Sequence, residues 1–91
     1  MNVTWSPRAL AQLRDSHAYI RNDNLPAARA FLEAVVSLVQ RLAEYPGMGL
    51  ATDEKGIIVF PLVRYRYLVF YTILSADEIR IVRIRHMSRK N

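Results

Sequence analysis

The sequence predicts an α+β fold of order β-α-α-β-β-β, in which an N-terminal strand and a helical hairpin pack on a small, mainly antiparallel sheet. Three observations predict it: a strand pattern that leads directly into a helix start, two successive amphipathic helical segments, and a second half rich in β-branched and aromatic residues. Because the chain has 91 residues, we expect a single domain over residues 1–91. A domain of this size buries only somewhat more than about 60% of the surface of its unfolded chain, so its core is small.

The first two elements are a short strand and a helix. Asn2–Trp5 alternates in the manner of a strand, and Ser6 with Pro7 is typical of a helix start, with Ser6 as the N-cap and Pro7 in the first turn. We expect this helix to extend from Pro7 to Asn22. The positions that recur at helical spacing, and that we expect to be buried, are Leu10, Leu13, His17 and Ile20.

A second helix starts at Pro26, with Asn24 or Leu25 near its cap, and ends at Tyr45-Pro46-Gly47. The link between the two helices is very short, which predicts an antiparallel hairpin. The second helix carries a wide apolar stripe made of Ala28, Phe31, Leu32, Val35, Leu38, Val39 and Leu42.

The remainder of the chain is predicted to form a polar loop and three strands. The loop covers Met48–Gly56. Pro61 limits the pairing of the first strand after this loop. A turn at Ser75–Asp77 makes a hairpin of the last two strands. The predicted strands are Ile57–Phe60, Arg64–Leu74 and Glu78–His86.

One layer of two helices can cover only one face of this sheet, so the other face meets solvent or a partner. Strict alternation places the even-numbered residues of the Arg64–Leu74 strand opposite the odd-numbered ones, and both sets mix apolar with basic or aromatic side chains. In the last strand, alternation places Ile79, Ile81, Arg83 and Arg85 opposite Arg80, Val82, Ile84 and His86. The orientation of the strands stays open at this point.

The positive charge is confined to the end of the chain. The net charge is +5 with neutral histidines, and residues 64–91 carry all of it, since residues 1–63 hold six basic and six acidic side chains. Such a block can bind phosphates and bases, hold an acidic protein partner, or simply keep the surface soluble. We expect a protein partner first and direct nucleic-acid binding second.

Several classes of site and of cellular location are disfavoured. The chain has no Cys, so it can form no disulfide and no thiolate site, which fits a reducing cytosol. Its two histidines lack metal-ligand spacing, so we expect neither a metal nor a cofactor. The most apolar run, Gly56–Ile73, contains two arginines and a proline, so we expect no membrane span and a cytoplasmic location. His86 lies among arginines, which favours a neutral ring suited to a general base or a hydrogen-bond donor.

Six segments in order resemble the ParE branch of the RelE/ParE toxins, and they extend over nearly the whole chain. They are Val3-x-Trp5-Ser6-Pro7-x-Ala9, Tyr19-Ile20, Ala27-Ala28, Leu42-Ala43-Glu44-Tyr45-Pro46-x-Met48-Gly49, Arg66-Tyr67-Leu68-Val69-Phe70-Tyr71 and Ile79-x-Ile81-x-Arg83-Ile84-x-His86-x-x-Arg89. The resemblance implies a growth-arresting, plasmid-stabilising toxin of a type II toxin-antitoxin system. It also implies a cognate ParD-like antitoxin, acidic or amphipathic, that forms a hetero-oligomer with the toxin.

The resemblance implies two alternative activities, inhibition of DNA gyrase by binding and ribosome-dependent cleavage of mRNA. RelE-like nucleases resemble one another in an arginine three residues before a strand tyrosine, whereas Leu68 precedes Tyr71 here and cannot stabilise phosphoryl charge. This favours gyrase inhibition, hence a toxin that is not an enzyme. A third alternative is an inactive homologue kept as a binding module. The family motif commonly reads His-x-x-Arg-Asp followed by several more residues, whereas Lys90-Asn91 follow Arg89 here. This departure implies attenuated gyrase activity or another target.

We assign the candidate site residues in three sets. A nuclease would use His86, Arg83 and Arg66. The expected target-binding residues are Arg64, Arg66, Arg83, His86 and Arg89. The expected antitoxin-binding residues are Tyr67, Phe70, Tyr71, Arg80 and Arg85.

Overall fold

A mixed sheet with two helices on one face makes up residues 1–88, which are the part of the chain that the computed structural model describes. The elements are β1 (Asn2–Trp5), α1 (Pro7–Asp23), α2 (Leu25–Glu44), β2 (Leu50–Ala51), β3 (Ile58–Leu62), β4 (Tyr67–Ile73) and β5 (Glu78–His86). The strand order is β1-β5-β4-β3-β2, and only the β1–β5 pair is parallel. The predicted α+β class and element order are confirmed, with β2 as an addition inside the segment that was predicted to be a loop.

The two helices form the predicted hairpin, and a local side-chain cap fixes the start of each helix. The Ser6 hydroxyl accepts a hydrogen bond from the Ala9 N–H at 3.0 Å, so it satisfies a free donor in the first turn of α1. Asn24 ends α1 by donating its N–H to the carbonyl of Ile20, and its side-chain oxygen caps α2 by accepting from Ala27. One residue thus serves both helices, which keeps the link short. No helix within residues 1–88 combines the length and apolar character that a membrane crossing requires.

The core lies between α2 and the sheet. The α2 side chains Phe31, Leu38 and Leu42 have no exposed surface, and each contributes about 1.5–3 kcal/mol by its burial. The α1 stripe differs from the prediction: it centres on Ala9, Leu13, Ser16 and Ile20, whereas Leu10 remains 37% exposed at its edge. The buried side chains of β4 and β5 that meet the helices are Tyr67, Val69, Tyr71, Ile79, Ile81 and Ile84.

The predicted strand Arg64–Leu74 starts three residues too early. Residues Val63–Tyr65 form a 3₁₀ turn, and Arg66 adopts a left-handed conformation with φ of 62° before β4 begins. Hydrogen bonds hold this corner, because the Arg66 N–H donates to Val63 at 3.1 Å and its carbonyl accepts from the Met87 N–H at 2.8 Å. Strand alternation therefore does not apply to Arg64 and Arg66, which lie at the corner and not on a sheet face.

A β-bulge at Val82 settles the orientation of β5. Phe70 pairs with Arg83 and Tyr71 pairs with Ile81, so Val82 is an extra residue between them. The bulge brings Ile84 to the helix-facing side with Ile79 and Ile81, and it turns Arg83 and Arg85 to the other side. The predicted alternation, with Arg83 and Arg85 on the face of Ile79 and Ile81, was wrong because it assumed a regular strand.

Side chains from the start of α1 hold the bulge in place. The Ser6 hydroxyl donates to the Val82 carbonyl at 3.1 Å, and the Gln12 side-chain oxygen accepts from the Ile84 N–H at 2.7 Å. These bonds satisfy backbone groups of β5 beyond Ile81, where the pairing with β1 has ended at Trp5.

The Tyr71 hydroxyl fixes the segment between α2 and β2 to the sheet. It donates to the Pro46 carbonyl at 2.8 Å and accepts from the Gly49 N–H at 3.1 Å. Gly49 has no room for a side chain, since a Cβ there would lie 2.7 Å from Cγ2 of Ile58. We call this arrangement of Tyr71, Pro46 and Gly49 the tyrosine clamp.

β3 ends at Leu62, beyond the predicted end at Phe60, and it contains Pro61. Within residues 1–88, β2 pairs with Ile58 and Val59 and does not reach Pro61, so the missing N–H of Pro61 is tolerated on that side.

Candidate functional site

The sheet surface that the helices leave uncovered carries both aliphatic and basic side chains. Pairing across the strands places them in rows, one made of Leu50, Val59, Phe70 and Arg83, and the next of Pro61, Leu68 and Arg85. A third row is made of Thr72 on β4 and Arg80 on β5. We call this surface the open face, defined by Leu50, Val59, Pro61, Leu68, Phe70, Thr72, Arg80, Arg83 and Arg85.

Two arginines cover the aromatic ring at the centre of the open face. The guanidinium carbon of Arg83 lies 4.1 Å from the Phe70 ring centroid, and that of Arg85 lies 5.8 Å from it. Both distances fall within the range of cation–π attraction. Phe70 itself is only 5% exposed, so the arginines present the surface that a partner would meet.

Acidic side chains of the chain itself accompany two of the open-face arginines. Arg80 Nη2 lies 3.4 Å from Glu78 Oε2, and Thr4 also donates to that oxygen at 3.0 Å. Arg83 Nη1 lies 3.7 Å from Glu54 Oε1, which extends from the loop between β2 and β3. Sequence reasoning missed Glu54, although Asp53-Glu54-Lys55 is the charged group of the predicted loop.

Arg64 and Arg66 form a separate basic corner beside the open face. The guanidinium of Arg64 lies 5.8 Å from the centroid of the Tyr65 ring, which in turn packs edge-on against Phe31 at 5.9 Å. Both arginine side chains are exposed. They belong to the 3₁₀ turn and the left-handed residue after it, so a partner would approach them from the end of the sheet.

His86 lies on the helix-facing side of the sheet, opposite the Arg83 side chain. Its ring stands perpendicular to the Tyr67 ring, with centroids 5.0 Å apart, and Tyr67 packs on Phe31 of α2. The Ser88 N–H donates to His86 Nδ1 at 3.1 Å. A backbone N–H can only donate, so Nδ1 is the acceptor in this hydrogen bond.

The three residues predicted for a nuclease are divided: Arg83 is separated from His86 by the sheet, whereas the Arg66 carbonyl accepts from the N–H of Met87, next to His86. Arg83 is on the open face, His86 on the opposite side, and Arg66 at the corner. Arg89, which was predicted for target binding, lies outside the described residues.

The predicted antitoxin-binding residues are divided between the core and the open face. Tyr67 is 1% exposed and Tyr71 is fully buried, so their contact with an antitoxin stays a prediction that their burial does not favour. Alternation in β4 directs both rings towards α2. Burial raises the pKa of Tyr71, and the hydrogen bond from Gly49 opposes this in part. Phe70 lies beneath the arginines, and Arg80 and Arg85 are exposed.

A second surface lies on the helical layer, where an apolar groove of about 280 Å³ opens between the helices and β1. Leu10 is 37% exposed and Val36 is 57% exposed at this groove. Sequence reasoning missed it because Leu10 was expected to be buried, although the width of the α2 stripe was a signal. We call it the hairpin groove, and it is lined by Trp5, Leu10, Leu13, Leu32, Val35, Val36, Val39 and Gln40.

The acidic and histidine side chains do not gather into a metal site in residues 1–88, where no three of them come together. The open face combines apolar, aromatic and basic side chains, whereas the hairpin groove is apolar apart from Gln40.

Comparisons with known proteins find a matching toxin family, two related chains and a solved structure with the same fold. A family model described as the ParE toxin of the type II toxin-antitoxin system parDE matches residues 3–91. Toxin RelE2 of Caulobacter vibrioides is 36% identical over 89 residues, covering 96% of each chain. The protein Y4kP of Sinorhizobium fredii is 32% identical over 84 residues, covering 92% of this chain and 88% of its own. A solved structure of the chromosomal ParDE system from P. aeruginosa shares the fold with a TM-score of 0.81 at 22% identity, covering 97% of both chains.

Proposed function

Because the chain belongs to the ParE family of type II toxin-antitoxin toxins, we propose that it arrests growth by binding DNA gyrase through its open face, without cleaving RNA. The observation that carries the proposal is the separation of Arg83 from His86 by the sheet. As a toxin of this family it has an antitoxin as its partner, whereas gyrase as its target is our proposal.

Cleavage of RNA needs an acid or base and a cation at the same phosphate, because the charge of the transition state is stabilised only by groups placed around it. Arg83 and His86 cannot meet one phosphate from opposite sides of a sheet. The Tyr71 hydroxyl is also held by Pro46 and Gly49 in the interior. The described residues thus favour inhibition by binding.

The composition of the open face suits a protein target. Its rows join Leu50, Val59 and Leu68 to the arginines of β5, so it can bury apolar surface and pair with acidic groups together. Stacking of bases needs an accessible aromatic ring, and the Phe70 ring is covered by arginine.

The hairpin groove is the surface that we propose for the antitoxin. An amphipathic helix places apolar residues in such a groove at spacings of three and four, and Leu10 and Val36 are exposed there to receive them. We expect nanomolar affinity, because apolar burial combines with attraction of an acidic partner to the basic chain.

A supercoiling assay with purified gyrase and toxin freed from its antitoxin tests the proposal. Wild-type toxin should abolish supercoiling, and the double variant Arg83→Ala, Arg85→Ala should lose at least roughly tenfold in potency, as expected for central interface arginines. The matched control Arg14→Ala removes an exposed charge from α1 and should keep full potency. His86→Gln should also keep it.

Two results would refute the proposal. One is full supercoiling at a large excess of wild-type toxin. The other is discrete mRNA cleavage in primer extension that disappears in His86→Gln, because this would make the toxin a nuclease.

A further inference from the structure

We propose that Arg83 is a binding site for a carboxylate of the target protein, and that Glu54 occupies this site in the free toxin as an internal competitor. The target then displaces Glu54 with an acidic side chain of its own. This inference rests on the proposed function, because it names the chemistry that the same open face recognises in its target.

Arg83 is held in an orientation suited to a planar anion. Its guanidinium lies 4.1 Å from the Phe70 ring centroid, which fixes the guanidinium over the ring. Its side chain is 29% exposed, so the N–H edge can still be reached from outside. A guanidinium with a fixed plane loses little freedom when it forms two parallel hydrogen bonds with a carboxylate.

Glu54 is close enough to attract Arg83 but not to hydrogen-bond it. The 3.7 Å between Nη1 and Oε1 exceeds hydrogen-bond distance, and the Glu54 side chain is 60% exposed. An exposed ion pair of this kind contributes little free energy. A partner carboxylate that makes two hydrogen bonds to Arg83 therefore replaces Glu54 at small cost.

The loop positions Glu54 through its backbone. The Glu54 N–H donates to the Thr52 hydroxyl at 3.1 Å, and the Gly56 carbonyl accepts from the Thr72 hydroxyl on β4 at 2.8 Å. The loop thus remains attached to the sheet while the Glu54 side chain rotates. Displacement needs only a change of side-chain rotamer, and the loop does not have to open.

The surroundings of Arg83 favour a protein carboxylate over an RNA phosphate. Glu78 and Glu54 accompany two of the three open-face arginines and would repel a polyanion along β5. The neighbouring rows are aliphatic, and they match a target segment that mixes apolar and acidic residues.

The first experiment needs no gyrase. The side-chain N–H signal of Arg83 is followed by NMR in the full-length toxin as a short peptide of alternating leucine and glutamate is added. Glu54→Gln should tighten peptide binding about 1.5- to 5-fold, the range that loss of an exposed ion pair allows. The matched control Asp53→Asn removes a charge from the same loop without touching Arg83, and it should leave the affinity unchanged.

Equal tightening in Asp53→Asn and Glu54→Gln would overturn the proposal, because only overall charge would then matter. A larger Arg83 response to a single-stranded RNA oligonucleotide than to the peptide would also overturn it. Loss of peptide binding in Arg83→Lys, which keeps the charge but not the planar fork, would support it.

The second experiment repeats the supercoiling assay with the two loop variants. Glu54→Gln should inhibit gyrase at about 1.5- to 5-fold lower toxin concentration than Asp53→Asn. If the peptide results hold but no variant inhibits gyrase, the carboxylate site stands and gyrase is the wrong target. If wild-type toxin inhibits gyrase but Glu54→Gln is no more potent, the internal competitor is refuted while the proposed function stands.

Discussion

The tyrosine clamp gives the sharpest prediction about stability. Tyr71→Phe removes one hydroxyl and with it two hydrogen bonds, to the Pro46 carbonyl at 2.8 Å and from the Gly49 N–H at 3.1 Å. The ring itself is fully buried and stays in place, so the change leaves packing largely intact. The substitution therefore isolates the polar part of the clamp.

The expected loss follows from those two bonds. Each contributes about 0.5–1.5 kcal/mol, and each partner left unsatisfied inside the protein adds to the cost. Pro46 and Gly49 are half-buried, so water replaces part of what is lost. We expect the free energy of unfolding to fall by about 2 kcal/mol, which lowers the Tm of a domain of this size by roughly 8–16 °C.

The same clamp predicts a dependence on pH. Burial raises the pKa of Tyr71 above its unfolded value near 10.0, so the neutral phenol is favoured in the folded state. Its contribution is complete below pH 10 and is lost as the pH rises through the folded pKa. The stability difference between wild type and Tyr71→Phe should therefore shrink above pH 10.

Thermal and urea unfolding at several pH values measures both effects. Tyr45→Phe is the matched control, because Tyr45 is 64% exposed and its hydroxyl should contribute little. Equal Tm values for the Tyr71 and Tyr45 variants would show that the clamp does not stabilise the fold. A stability gap that stays constant above pH 10 would show that Tyr71 is not a buried phenol.

Three further predictions concern a strained residue, a crowded glycine and the hairpin groove. Arg66→Gly should raise the free energy of unfolding in urea by about 0.5–1 kcal/mol, since glycine adopts the left-handed conformation without strain. The same variant should weaken gyrase inhibition. A loss of stability would contradict the assignment of strain to Arg66. Gly49→Ala should lower that free energy by about 1–3 kcal/mol, because its Cβ would lie 2.7 Å from Cγ2 of Ile58, and an unchanged Tm would refute the crowding. Val36→Glu should weaken antitoxin binding, measured by calorimetry, at least roughly tenfold, because Val36 lines the hairpin groove. The control Leu25→Glu changes an exposed residue outside the groove and should leave binding unchanged. Equal effects of the two substitutions would place the antitoxin elsewhere.

The helical hairpin could be predicted from the sequence because its determinants are local. The Ser6 hydroxyl caps a residue three positions away, and Asn24 does the same for α2. The interaction of neighbouring residues fixes these ends before any tertiary contact forms. The apolar stripe of α2 is similarly visible from spacing alone.

The orientation of β5 could not be predicted, because contacts distant in sequence decide it. The bulge at Val82 is held by Ser6 and by Gln12, whose oxygen accepts from an N–H 72 positions away. Without the bulge, Arg83 would share a face with Ile81. The sequence therefore located the basic cluster but could not tell that Arg83 and His86 lie on opposite sides of the sheet.

The parallel pairing of β1 with β5 has a consequence for synthesis of the toxin. β1 is synthesised well before its strand partner, which is complete only when the residues up to Ile81 have been made. Until then the α2 stripe has no complete sheet to pack on, and contacts so distant in sequence form slowly. A nascent chain that ends before β5 also lacks Arg83 and Arg85. A chain that ends before β5 therefore lacks at once the partner strand of β1 and the basic side chains of the open face.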